Sequence, residues 1–185
     1  MTLDHLWAGW RSAYVTSVGT GPVPTAGMTD TSAVPAEPEG DDPHECVFCR
    51  IAASGPPSAD NGVLWVGTTT YAVLNAYPYA SGHLMVLPIR HVGGLDELTD
   101  EEGTELWSAL RRAVEALYSA VGPEGVNLGA NLGRAAGAGI PRHLHVHAVP
   151  RWAGDTNFMT AVAGTRVLPE TLAVTWERLH RAWPT

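Results

Sequence analysis

Lysine is absent from all 185 residues: the 11 basic residues are arginines, set against 19 acidic ones, for a formal net charge of −8. Binding along a nucleic-acid backbone needs clustered positive charge, so this balance argues against a nucleic-acid polymer as partner. Cysteine is almost absent as well, with only Cys46 and Cys49, which form a single Cys-x-x-Cys pair. Two thiols make no disulfide scaffold. In a chain without an export signal, that spacing points to metal or redox use, with simple core packing as the plain alternative. No apolar run reaches the ~18 residues needed to cross a bilayer, and Met1–Trp10 lacks the basic-then-apolar order of a signal peptide. The expectation is therefore a cytoplasmic chain with no membrane partner. A hydrophobic content of 45% supplies a real core, and the length suits one domain with terminal extensions.

Three regions are expected along the chain. In residues 1–15, Trp7, Trp10 and Tyr14 fall at helical spacing and make an aromatic arm, which as simple packing would need no functional role. Residues 16–44 run through Gly, Pro, Thr and acid without periodicity and read as a flexible linker. Residues 45–185 form the domain. Strands are expected at Val63–Val66, Tyr71–Leu74, His83–Pro88, Val126–Leu132 and His143–Val149. Leu98–Val121 is the clearest helix, with Thr99 and Glu102 as a capping box and Gly122-Pro123 as its stop. Pro169–Trp183 is a second helix, with Leu172, Trp176, Leu179 and Trp183 on one side. The predicted fold class is α+β, with a mainly antiparallel sheet of about five strands and two main helices.

The most informative stretch is His143-Leu-His145-Val-His147. On a strand, alternate residues share a face, so the three imidazoles would point into one space while Leu144, Val146 and Ala148 enter a core. Neutral imidazole is a good nucleophile near pH 7, and attack on phosphorus gives a phosphoramidate that splits one hard displacement into two. His145 is best placed for attack, and His147 for contacting phosphoryl oxygens or the leaving group. Arg134, Arg142 and Arg151 collect nearby and suit a phosphate-bearing ligand. Gly129, Gly133, Gly137 and Gly139 allow backbone amides to approach it. The same row also suits a zinc or iron site, so a redox or metalloenzyme reading stays open, as does a non-catalytic nucleotide-binding module.

His143-Leu-His-Val-His147-Ala-Val-Pro-Arg151 resembles the signature of the histidine triad (HIT) superfamily of nucleotide hydrolases and transferases. Leu6–Arg11 looks like the N-terminal arm of bacterial members, Cys46–Ile51 like their zinc knuckle, and Leu74-Asn75…Gly82–Pro88 like the nucleotide-contacting strand pair. The resemblance implies attack by His145 on the α-phosphate of a dinucleoside polyphosphate or another nucleotidylated compound, with His147 as a phosphate contact and water or inorganic phosphate as acceptor. It implies that His83 supports the site by hydrogen bonding and that Asn75 holds the ribose. Val73 and Met85 would clamp the base edge, and Asn131 and Gly133 belong to a phosphorylase-type loop. It further implies structural zinc on Cys46, Cys49, His91 and His143, with His44 as a competing ligand, no organic cofactor, and a homodimer. One departure stands out. Hydrolases of this superfamily carry Gln four residues before the first triad histidine, and actinobacterial-type phosphorylases often carry Ser; this chain has Gly139.

Overall fold

The computed structural model describes residues 42–155 and 170–184, so the expected aromatic arm and all but the end of the expected linker lie outside the described residues. Five strands make one antiparallel sheet: β1 (Val63–Val66), β2 (Thr70–Leu74), β3 (Leu84–Pro88), β4 (Gly125–Gly129) and β5 (Val146–Arg151), in the order β1-β2-β3-β5-β4. Helices α2 (Asp100–Val121) and α3 (Leu172–Ala182) are the two long ones, and a short α1 (Val47–Ala52) carries the Cys-x-x-Cys pair.

Side-chain alternation sorts the sheet into two faces. Leu64, Ala72, Leu74, Leu84, Val86, Val146 and Ala148 pack against Leu106, Leu110, Ala113 and Leu117 of α2 and Leu179 of α3. Val63, Tyr71, Val73, Met85 and Leu87 face the other way and meet Cys46 and Phe48 at the start of α1. Because β2 and β3 are covered on both sides, every one of their residues is buried, which explains their continuous apolar sequence. Among the described residues the second face is covered by α1 and Ile140, and that is the face the histidines use.

The capping box forms as expected: Glu102 N–H donates to Thr99 Oγ1 at 3.2 Å, and Thr99 N–H to Glu102 Oε2 at 2.9 Å. Gly122 ends α2 in the left-handed conformation. Gly82 does comparable work before β3. Its φ of 96° is left-handed, and a Cβ there would lie 3.2 Å from both Leu117 and Pro150. A larger residue would push apart the turn that delivers His83.

Three expectations need correction. The Gly-rich strand pairs only over Gly125–Gly129, because the chain beyond Gly129 leaves the ladder to form the glycine loop. Leu172, expected on the packed side of the last helix, is exposed, whereas Thr175 and Leu179 are buried. The histidine strand also begins later than expected, at Val146. Continuing the Val86↔Val146 register would place Leu144 opposite Pro88, which has no N–H to donate. Leu144 N–H instead donates to Val92 O at 2.6 Å, so His143 and His145 sit on an unpaired extension of β5.

Candidate active site

Each of four histidines is held by a backbone partner or by another histidine, and these partners fix where the protons lie. A carbonyl oxygen can only accept, so His145 Nδ1–H donates to His143 O at 2.8 Å and leaves the Nε2 lone pair free. Tyr79 N–H donates to His83 Nδ1 at 3.1 Å, which puts the proton of His83 on Nε2. That proton is directed to His147 Nδ1 at 3.0 Å, so His147 carries its own hydrogen on Nε2. The rings of His145 and His147 lie 5.1 Å apart at 85°. One neighbour thus presents a lone pair and the other an N–H, which is the pairing needed to attack a phosphorus atom while holding its oxygens.

Burial favours the neutral forms these roles require. Desolvation pushes the His147 pKa down to about 4, with the nearby His145 adding in the same direction. Desolvation also lowers His145, partly offset by its hydrogen bond to the His143 carbonyl. Both imidazoles are therefore unprotonated bases at neutral pH.

Beside them, Cys46, Cys49, His91 and His143 bring one ligand atom each to within 4.8 Å of one another. Neither cysteine is in a disulfide. Sulfur-to-Nδ1 separations are 3.4 Å for Cys46–His143, 3.5 Å for Cys49–His143 and 3.3 Å for Cys49–His91. A tetrahedral zinc ion spaces neighbouring sulfur and nitrogen ligands by about 3.6 Å, so this donor set fits such a metal. His143 Nε2–H donates to Pro88 O at 2.9 Å, the outer-shell bond that turns a ligating histidine's other nitrogen toward the ion. Burial drives the His143 pKa to about 4, which keeps its ligand nitrogen unprotonated. His44 is exposed and stands outside the cluster.

The model of the HIT domain matches residues 59–154, just over half of the chain. The chain belongs to the HIT family. The AP-4-A phosphorylase of Mycobacterium tuberculosis is 39% identical over 183 residues, covering 98% of this chain and 85% of that protein. An asymmetrical bis(5'-nucleosyl)-tetraphosphatase of Schizosaccharomyces pombe is 34% identical over 84 residues, covering 45% of this chain and 46% of that protein. Among solved structures, a Zn-bound histidine triad family protein from Mycobacterium smegmatis superposes with a TM-score of 0.62 at 26% identity, covering 77% of this chain and 95% of that one. Relatives in this HIT family thus include named enzymes.

The remaining expected site residues occupy distinct places. Asn75 lies just past β2; its amide nitrogen is 3.3 Å from His83 Nδ1, and its Oδ1 accepts from Tyr77 N–H at 3.0 Å. Val73 and Met85 are register partners, both buried, and Met85 also pairs with His147. They form the floor beside the triad. Asn131 Nδ2 donates to Gly137 O at 3.3 Å and ties the glycine loop across its base, with Gly133 within that loop. Gly139 presents no side chain, and its neighbour Ala138 is buried.

Arg151, expected beside a phosphate-bearing ligand, is tied to Asp155 by Nε at 2.5 Å and Nη2 at 2.9 Å, and to Asn127 by Nη1 at 2.8 Å. These bonds to an Asp and an Asn side chain brace the turn after β5.

Sequence reasoning missed two aromatics. Tyr79, 52% exposed, lays its ring 4.7 Å from His83 and 6.2 Å from His147. Phe48, between the two cysteines, contacts the rings of His143 and His145. Its position inside the Cys-x-x-Cys pair was the available signal.

Proposed function

We propose that this chain transfers a nucleotidyl group from a dinucleoside polyphosphate, or another nucleotidylated compound, through a covalent nucleotidyl-His145 intermediate. The single observation carrying this reading is the proton arrangement: Nδ1–H of His145 is committed to the His143 carbonyl, so Nε2 is free to attack. Attack forms an N–P bond at the α-phosphorus and breaks the P–O bond to the departing polyphosphate. His147 Nε2–H donates to the phosphoryl oxygens, and His83 holds that tautomer through Nδ1. A polyphosphate leaves as an anion, so no proton need be supplied to it. The adduct's imidazolium keeps Nδ1–H against the carbonyl. In the second step an oxygen of water or inorganic phosphate displaces Nε2 and restores the neutral ring.

The nucleoside would lie along Val73 and Met85, with Asn75 offering the ribose its second Oδ1 lone pair. Amides of the loop from Asn131 through Gly133 to Gly139 would meet the phosphates in place of the missing position-139 side chain. Phosphate as acceptor is supported by the 39% identity to a phosphorylase across nearly all of this chain. Zinc on Cys46, Cys49, His91 and His143 would close a tetrahedral structural site, bracing α1 and leaving the chemistry to His145.

A homodimer is part of the same proposal. Edge strand β1 is covered, since Trp176 Nε1–H donates to Val63 O at 2.7 Å and His180 Nδ1–H to Leu64 O at 3.0 Å. The other edge, β4, presents Leu128, 44% exposed, beside Trp107 of α2, 63% exposed. A second copy pairing there would cover both.

Mixing the protein with diadenosine tetraphosphate decides the chemistry. AMP plus ATP marks hydrolysis, and ADP plus ATP appearing only with added phosphate marks phosphorolysis. The adduct's P–N bond is acid-labile and alkali-stable, so alkali-quenched reactions that catalyse but hold no nucleotide on His145 would overturn the covalent route.

A further inference from the structure

We infer that Phe48 is a positioning residue for the nucleophile, through which the cysteine-bearing knuckle is coupled to the transfer step. The inference rests on the proposed role of His145 and asks what holds that imidazole at its working angle. Among the described residues its side chain makes one hydrogen bond, Nδ1–H to the carbonyl two residues earlier, which fixes the tautomer. A single bond so near in sequence leaves the tilt of the ring to its neighbours. Phe48 supplies one of them. Its ring centroid lies 5.1 Å from His145 at 49°, and 5.5 Å from the metal-site His143 at 74°. Both distances fall in the range where aromatic pairs attract and hold an orientation.

Phe48 is itself held from outside the catalytic row. Helix α1 has six residues and no side-chain N-cap, too little to keep its own shape in water. Cys46 and Cys49 flank Phe48, and both thiols point at the ligand cluster. Tyr71, fully buried on β2, donates its hydroxyl to Phe48 O at 2.9 Å. The Phe48 backbone is thus held by a sheet residue beneath, and a metal on the two thiols would fix it from both sides. Losing the metal would free the thiols, loosen α1 and remove the wall behind His145. A metal that takes no part in the chemistry would in this way still set its rate.

Phe48→Leu, which keeps apolar bulk but loses the flat face, tests this. In protein that still holds metal and binds AMP normally, kcat should fall about 10- to 100-fold while KM changes little, because a small displacement of a reacting group costs rate more than binding. Rates are scaled to the concentration of AMP-binding sites titrated in the same preparation, so an unfolded fraction does not enter. Phe48→Met serves as a second variant should Phe48→Leu fold poorly. In the substrate-free protein the His145 ring-proton NMR signals should move in Phe48→Leu. Chelating the metal should move them in the wild type, but hardly further in Phe48→Leu, as expected for two changes acting through one contact. A metal-loaded Phe48→Leu protein with wild-type kcat, or chelation and substitution effects that simply multiply, overturns the inference. His145→Ala separates the two ideas: if it keeps turnover, the covalent reading fails; if it is inactive while Phe48→Leu is normal, only the positioning role fails.

Discussion

His143 and His147 lie four residues apart on one extended segment, and burial lowers both to a pKa of about 4, yet the fold gives them opposite tasks. His143 donates Nε2–H to Pro88 O and turns Nδ1 toward two thiols. His147 accepts at Nδ1 from His83 and so carries its own hydrogen on Nε2. The same residue type therefore presents a free lone pair to the thiols at one end of the row and an N–H at the other, the arrangement suited to a ligand and to an anion contact respectively. The deciding factor is which nitrogen the neighbouring element occupies. His145, between them, shares Phe48 with the ligand half and an edge-on ring contact with the catalytic half.

That contrast can be broken from either side. The largest expected effect is on the catalytic half. His145→Ala should lower turnover on the order of 10⁴-fold or more, as removal of a covalent nucleophile does, with metal content and melting temperature unchanged. Cys46→Ser should do the reverse, releasing the metal and lowering the melting temperature, because binding energy at a structural site is folding energy. A Cys46→Ser protein that kept both its metal and its stability would remove the division altogether. His147→Ala should reduce kcat by about 10²- to 10⁴-fold without loss of metal, which rate and metal assays on one preparation can check.

The pH dependence sharpens the comparison. His143 and His147 both have folded pKa values below the ordinary 6.5, so the unfolded chain takes up protons first as pH falls. Their contribution to stability is complete above about 6.5 and is lost as pH drops through about 4. Metal release and unfolding should therefore accompany acidification in that window. The acid limb of kcat/KM should also fall below the ordinary histidine value, since His145 is lowered by burial too. A limb above 6.5 in the metal-loaded protein contradicts this. The smallest effect is expected at the start of α2: Thr99→Ala removes the side-chain cap and should cost about 1 kcal/mol by denaturant unfolding, leaving metal and rate alone.

Much of this was legible in the chain. Capping chemistry at Thr99 and Glu102 located the long helix, because those bonds are local. Strand positions followed from short apolar runs bounded by turn residues, and from alternation in the histidine row. What could not be read was where the ladder stops. Pro88 withdraws a donor opposite Leu144, and that matters only once β3 and β5 are paired. Likewise Arg151 sits in the motif beside the histidines, but its Asp155 and Asn127 partners meet only after the turn closes and β4 aligns with β5.

Composition and spacing by themselves determined an acidic α+β chain, the three alternating imidazoles and a pair of thiols suited to metal. Tertiary structure decided which imidazole nitrogen faces which partner, brought His91 to the cysteines across 42 residues, and set Phe48 against His145. The reason is physical. A tautomer depends on what lies within hydrogen-bond reach, and residues distant in sequence come within that reach only when the sheet and its thin covering layer have formed.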